Sequence, residues 1–176
     1  EFVRPTTLSR EDIERFKAVA KKNNLAIIPY LQVLSHALWL SRHRDWEEMS
    51  EGPTSMAWCR GYCPQNEHAA KIVDTVITET CDMFKPKLFH LALDEMWGCP
   101  HGVCPKCQGK NLVDLVWNHV KPYHDKLFAR GIRPIVYHDE FDRTNPTRPQ
   151  QAYVDVLDRM DKRVLVNCWQ SQLFPA

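Results

Sequence analysis

The sequence lacks any hydrophobic run long enough to span a bilayer, and it also lacks a block of like charges. Lysine and arginine together number 23 and aspartate and glutamate 22, so the formal net charge is +1. The two signs of charge are mixed along the chain, without a basic segment or an acidic tail. These absences argue against a nucleic-acid partner and against a membrane partner.

The sequence has no internal repeat, no low-complexity segment and no visible signal peptide. The sequence opens on Glu1 rather than Met, so the absence of a visible signal peptide does not indicate the compartment. Its seven cysteines are an odd number and four of them cluster, which leaves the redox compartment open. A length of 176 residues predicts one domain with a substantial core.

Helical and strand patterns alternate along the chain. Apolar runs at 25–30, 88–93, 133–138 and 164–168 predict four strands. The predicted helices extend from an N-cap at Ser9 to about Asn23, and over about 67–83, 112–129 and 150–160. Near-continuous apolar strands that alternate with helices predict a parallel sheet covered by helices.

Three interruptions stand out in this pattern. The connection at 31–66 is too long for a plain turn, and long loops in compact domains are often binding loops. A second, Cys-rich loop covers 98–110. Pro122 lies inside the third helical pattern and predicts a kink or a break there.

Polar residues of catalytic type follow the ends of all four predicted strands. In a (β/α)8 barrel, the chemistry lies at the carboxyl ends of the strands. A complete barrel needs eight strands and about 250 residues, so the predicted fold class is α/β, a partial (β/α)8 TIM barrel with about four parallel strands. The alternative is a smaller open α/β sheet. The strand-end residues are Gln32, His36, Asp94, Glu95, His138, Asp139 and Trp169.

The adjacent carboxylates of Asp94 and Glu95 are the most informative pair. They close the apolar run at 88–93, where two neighbouring charges repel each other and are poorly solvated. Such a pair can hold one carboxyl group protonated and the other charged, as acid–base catalysis requires. The alternative is a solvated loop start or a helix cap. His90 faces the same side and is predicted to be a packed core residue.

Four segments resemble, in order, glycoside hydrolase family 20, the β-N-acetylhexosaminidases, in its hexosaminidase D-like branch. IIPYLQVLSH at 27–36 is similar to a family strand and loop that end in histidine. LFHLALDE at 88–95 resembles the strand His-Ile-Gly-Gly-Asp-Glu, and CPQN at 63–66 resembles the stretch that leads to it. GIRPIVYHD at 131–139 is similar to a later strand that ends in Trp-x-Asp.

The sequence departs from the family pattern at a few positions. Ser35 stands where the family has glycine before its histidine, and Ala92 and Leu93 replace the Gly-Gly pair. Tyr137 replaces the tryptophan before the later aspartate. An arginine that holds the sugar from an early strand in this family has no counterpart in the sequence.

The resemblance implies cleavage of a terminal β-linked N-acetylhexosamine with retention, in which the 2-acetamido oxygen of the sugar is the nucleophile. It implies that Glu95 is the general acid and that Asp94 orients the acetamido group. No cofactor is required, and the partner is a carbohydrate or glycoconjugate substrate. The implied substrate-binding residues are Gln32, His36, Tyr137, Asp139 and Trp169. The alternative is a non-catalytic, carbohydrate-binding or zinc-stabilised α/β module derived from such a barrel.

A second constellation consists of Cys99, His101, Cys104 and Cys107. Three thiols and an imidazole at this density can form a tetrahedral structural zinc site. The spacing lacks the second Cys-x2-Cys pair of a zinc ribbon, so a disulfide and free thiols stay open as alternatives. The sequence does not determine the oligomeric state.

Overall fold

The computed structural model describes residues 8–52, 59–96, 99, 101–141 and 153–169. Helices and strands alternate in these residues, as the sequence pattern predicts. In chain order the elements are α1 (Arg10–Lys22), β1 (Tyr30–Val33), α2 (Trp46–Met49), α3 (Glu67–Phe84), β2 (Leu88–Ala92), α4 (Leu112–Ala129), β3 (Arg133–Tyr137), α5 (Val154–Arg159) and β4 (Leu165–Asn167).

The four strands form one parallel sheet in the order β1-β2-β3-β4. Tyr30 pairs with His90 in β2, His90 pairs with Ile135 in β3, and Ile135 pairs with Leu165 in β4. Because all four strands run in the same direction, their carboxyl ends lie at one edge of the sheet. The polar residues that follow the strands are therefore brought to that edge.

The helix boundaries are set by side-chain caps. The hydroxyl of Ser9 accepts the Asp12 N–H at 3.1 Å, and the Asp12 carboxylate accepts the Ser9 N–H, which completes a capping box for α1. Asn66 caps α3 and Asn111 caps α4 through their side-chain oxygens. Helix α4 runs continuously through Pro122 and is not split there, because Pro122 is exposed and water can solvate the carbonyl that loses its partner.

The core lies between the sheet and helices α3 and α4. Strand β2 contributes Phe89 and Leu91, while the two helices contribute Val73, Ile77 and Val116. Each of these side chains is almost fully buried, and burial of one such side chain stabilises the fold by roughly 1.5–3 kcal/mol. This packing fixes β2, the strand that carries the adjacent carboxylates.

The first strand begins later than predicted. The sequence predicts a strand at 25–30, whereas β1 covers Tyr30–Val33. Pairing with β2 begins only at Pro29, whose carbonyl accepts the His90 N–H at 2.8 Å. The side chain of Ile28 is 44% exposed, so the apolar run before Pro29 does not mark a buried strand in the described residues.

The loops contain some local structure. The connection at 31–66 includes the short helix α2 and an antiparallel bridge between Ser50 and Tyr62. The helix predicted at 150–160 is present as the shorter α5, and residues 150–152 lie outside the described part of the chain. No helix among the described residues is long and apolar enough to cross a membrane.

Candidate active site

Asp94 and Glu95 lie just beyond the carboxyl end of β2, where the backbone turns sharply. Ala92, Leu93 and Glu95 have φ angles of 59°, 64° and 48°. This left-handed region costs a residue with a side chain roughly 1–2 kcal/mol. The turn ends the strict alternation of the strand, so that both carboxylates can face the same space. Their side chains keep only 13% and 24% of their accessible surface.

His36 connects the two carboxylates to the loop that follows β1. Its Nε2 lies 3.2 Å from Oε2 of Glu95 and 3.8 Å from Oδ2 of Asp94. The imidazole side chain is 15% exposed, and its own backbone is left-handed with φ of 48°. The imidazole thus lies within ion-pair distance of both carboxylates and brings the loop that follows β1 to the turn that follows β2.

Asp139 connects the same pair to β3 and β4. It lies two residues after β3 and is 2% exposed. Its Oδ2 accepts the Glu95 N–H at 2.9 Å, and its Oδ1 accepts the indole N–H of Trp169 at 3.2 Å. A single carboxylate thus holds the strained backbone of Glu95 and one edge of an indole ring that is 44% exposed.

Aromatic rings extend the site along the sheet edge. The ring of Tyr137 lies 6.2 Å from that of Trp169 and 6.2 Å from that of Tyr30, measured between centroids. The Gln32 side-chain amide donates to the Tyr30 hydroxyl at 2.6 Å. The structure thus brings the predicted catalytic and substrate-binding residues into one connected set: Gln32, His36, Asp94, Glu95, Tyr137, Asp139 and Trp169.

Sequence reasoning missed two further residues that contact this set, Tyr30 and Asn167. The ring of His90 lies between Tyr30 and Tyr137, at centroid distances of 5.2 and 4.4 Å. Its Nδ1 accepts the Ala92 N–H at 3.0 Å, and its Nε2 lies 3.3 Å from the side-chain amide of Asn167. Both missed residues are polar side chains at positions of apolar strand runs, which is the signal that could have indicated them. His90 itself is packed and hydrogen-bonded, as predicted.

The electrostatics of the site disfavour a charged Asp94. Burial raises the pKa of Asp94 above its ordinary value of 3.8, and the charges of Asp139 and Glu95 raise it further. The backbone N–H of Asp94 and the nearby His36 act in the opposite direction. The site therefore holds a carboxylate whose charge is poorly solvated and attracts a positive charge strongly.

Two buried histidines give the fold a predictable pH dependence. Burial lowers the pKa values of His90 and His119 from 6.5 to about 4. Between these values the unfolded chain binds more protons than the folded one, so stability falls as the pH drops from 6.5 towards 4. The loss is at most about 3 kcal/mol for each histidine.

Denaturant unfolding of the full-length protein at intervals from pH 7 to pH 4 measures this dependence. The His119→Gln variant keeps a neutral polar side chain and removes one titrating group, so its stability should depend less steeply on pH. Equal slopes for the variant and the wild type would contradict the assignment of His119 as a buried neutral histidine.

The Cys-rich loop does not assemble the ligand set that the sequence predicts. Cys99 forms a disulfide with Cys59, which removes its thiol from that set. The sulfur atoms of Cys104 and Cys107 instead each lie 3.4 Å from Sγ of Cys63. The disulfide was an open alternative, but its partner lies 40 residues earlier in the chain, where the spacing within the loop gives no indication of it.

Glu51 joins the three thiols of Cys63, Cys104 and Cys107. One ligand atom from each of the four residues lies within 4.8 Å of all the others. His101 is buried, but this compact group does not include it. Two of its members, Glu51 and Cys63, come from the long connection at 31–66.

The catalytic-domain model of glycosyl hydrolase family 20 matches residues 3–175, almost the whole chain. No curated protein matches the sequence. An exo-β-N-acetylglucosaminidase from Vibrio harveyi, solved with N-acetylglucosamine, aligns with a TM-score of 0.67 at 18% identity over 98% of this chain and 28% of that one.

Two further solved structures are similar. A β-N-acetylhexosaminidase from Bacteroides fragilis has a TM-score of 0.66 and 16% identity, covering 93% of this chain and 32% of that one. A chitobiase from Flavobacterium johnsoniae has a TM-score of 0.64 and 17% identity, covering 92% of this chain and 28% of that one. The chain therefore spans about a third of their length, and the likeness, with the parallel sheet, confirms a partial (β/α)8 barrel.

Proposed function

The chain belongs to glycosyl hydrolase family 20, and on that basis we propose that it forms part of the catalytic barrel of a glycosidase. The proposed substrate is a glycan or glycoconjugate that ends in a β-linked N-acetylhexosamine. One observation carries the proposal: Asp94 and Glu95 meet His36 and Asp139 at the carboxyl end of a parallel sheet. A barrel enzyme uses this edge for its chemistry.

The proposed reaction retains the configuration at the anomeric carbon through two displacements. The 2-acetamido oxygen of the sugar attacks the anomeric carbon, the glycosidic C–O bond breaks, and Glu95 protonates the departing oxygen. This step leaves a cyclic oxazolinium ion. Water then adds to the anomeric carbon, Glu95 removes a proton from that water, and the acetamido group is restored.

Asp94 supports the first step through its charge. In this reaction its carboxylate accepts the acetamido N–H and faces the positive charge that develops on the oxazolinium ion. Because Asp94 is largely desolvated, its attraction for that cation is stronger than in water. The raised pKa of Asp94 reflects the free energy that burial of this carboxylate costs, and the nearby His36 offsets part of that free energy.

The remaining residues would bind and position the sugar. Trp169 and Tyr137 present aromatic surface at the sheet edge, and such rings pack well against the apolar faces of sugars. Gln32 can offer hydrogen bonds to hydroxyl groups. Asp139 acts as a positioning residue, because it holds the backbone of Glu95 and the indole of Trp169.

The full-length protein should release an aryl alcohol from aryl β-N-acetylglucosaminide or β-N-acetylgalactosaminide. The matched control is the aryl β-glucoside, which lacks the acetamido nucleophile and should stay uncleaved. Proton NMR of the first sugar product should show the β anomer, as retention requires. Cleavage of the glucoside at a similar rate, or release of the α anomer, would contradict the proposed mechanism.

A non-catalytic carbohydrate-binding module is the second candidate. It is favoured by the departures from the family pattern at Ala92, Leu93 and Tyr137. Under this alternative the full-length protein binds N-acetylhexosamine, as measured by calorimetry, but releases no aryl alcohol from either glycoside.

A further inference from the structure

A group of three buried side chains and one half-buried side chain outside the carboxylate site has the composition of a metal centre. It consists of the thiols of Cys63, Cys104 and Cys107 and the carboxylate of Glu51. Glu51 and Cys63 come from the connection at 31–66, and the other two thiols come from the Cys-rich loop. The proposed glycosidase reaction uses none of these residues.

The distances within this group suit one tetrahedral ion. With a Zn–S distance of about 2.3 Å and a Zn–O distance of about 2.0 Å, tetrahedral ligand atoms lie roughly 3.5–3.8 Å apart. Cys63 Sγ lies 3.4 Å from each of the other two sulfur atoms, and every pair of ligand atoms lies within 4.8 Å. Shifts of less than about 1 Å would therefore complete the coordination sphere.

Glu51 gives an independent indication of a cation. Its side chain is 2% exposed, and Oε2 accepts the N–H groups of Val103 and Cys104 at 3.0 and 2.9 Å. The other oxygen, Oε1, is buried without a hydrogen-bond partner in the described residues. No ion pair between described residues includes Glu51, and a buried carboxylate without a cation is costly. A metal ion beside Oε1 would add a positive charge next to this carboxylate.

The surrounding loop is built to hold this geometry. Gly102 has φ of 77°, and a Cβ there would lie 2.6 Å from Cδ2 of Leu112 at the start of α4. Leu112 and Leu115 pack against Cys63 and Cys107. The thiols are therefore held against the first turn of α4, so only small movements of the loop are available to them.

We propose that Glu51, Cys63, Cys104 and Cys107 bind one structural Zn²⁺ ion. Three thiolates select a soft or borderline ion, and a carboxylate as the fourth ligand suits zinc. Four protein ligands leave no open position, so the ion has a structural role. Binding releases the three thiol protons to solvent as the sulfur–zinc bonds form. The ion would join the 31–66 connection to the loop that follows Glu95.

Metal analysis of the full-length protein, purified without chelator, tests the proposal. Elemental analysis should find about one zinc per chain in the wild type. The Cys104→Ser variant should lose most of that zinc. The Cys168→Ser variant removes an exposed thiol outside the group and should retain it. A wild type without zinc that also fails to take up added zinc would overturn the proposal.

Cobalt substitution gives a spectroscopic readout of the ligands in the folded wild type. The wild type with Co²⁺ should show thiolate-to-cobalt charge-transfer absorption and the strong visible bands of a tetrahedral ion. The Glu51→Gln variant keeps the thiolate absorption but should release the metal to a chelator at least about tenfold faster. A disulfide between any two of the three cysteines in the reduced-and-repurified protein, detected by mass spectrometry, would also overturn the proposal.

Discussion

Replacement of Glu95 by Gln in the full-length protein is expected to lower kcat/KM for an unactivated disaccharide by about 10²–10⁴-fold. Gln is close to Glu in size but cannot donate a proton to the departing oxygen. The fold should persist, because the backbone N–H that Asp139 accepts is unchanged. Disaccharide and aryl substrates measured side by side give the decisive comparison.

The aryl glycoside should lose less activity than the disaccharide, because an activated leaving group needs less help from an acid. The matched control is Glu79→Gln, the same substitution at an exposed position of α3, which should leave both rates unchanged. Equal losses on the two substrates would argue that Glu95 is not the acid. Unfolding midpoints of both variants show whether either loss reflects a damaged fold.

Local patterns of the sequence were sufficient to predict much of the fold. The capping signals at Ser9 and the periodicity of α3 and α4 predict helices that the structure contains at closely similar bounds. The parallel sheet follows from the alternation of helices with apolar strands. Strand ends then meet at one edge, which is why residues as distant in sequence as His36 and Asp139 could be predicted to lie near one site.

Other features depend on contacts that no local pattern records. The disulfide of Cys99 and the approach of Glu51 to Cys104 join segments separated by 40 or more residues. The start of β1 depends on where its neighbour begins to pair, rather than on the apolar run before it. The left-handed backbone at Ala92 and Leu93 could not be predicted either, because these angles favour glycine and neither residue is one.

The turn after β2 explains why glycine suits the two positions before Asp-Glu in the family pattern. Where the family has Gly-Gly, this chain has left-handed φ angles of 59° and 64° at Ala92 and Leu93. The strain is tolerated because Leu93 is completely buried and because Asp139 accepts the Glu95 N–H just beyond. Ala92 and Leu93 therefore adopt, at some cost in strain, a left-handed backbone that glycine adopts readily.

Asp94→Asn should lower the activity of the full-length protein and raise the stability of its fold. Loss of the negative charge that faces the oxazolinium ion is expected to lower kcat by about 10²–10³-fold. The same change should stabilise the fold at neutral pH, because Asn fills a similar volume and removes a carboxylate that burial, Asp139 and Glu95 all make costly to ionise. Each unit by which the pKa is raised corresponds to about 1.4 kcal/mol.

The raised pKa of Asp94 determines how the stability gained by the variant changes with pH. The pKa of Asp94 is near 3.8 in the unfolded chain and higher in the folded one. Between those two values the folded wild type binds more protons, so its stability falls as the pH rises through that window. The advantage of the variant should thus be absent below about pH 3.8, grow as the pH rises and then level off. Denaturant unfolding of both proteins from pH 3 to pH 8 measures it. A variant that is less stable than the wild type at pH 7, or a difference that does not change with pH, would show that the charge on Asp94 is not a cost to the fold.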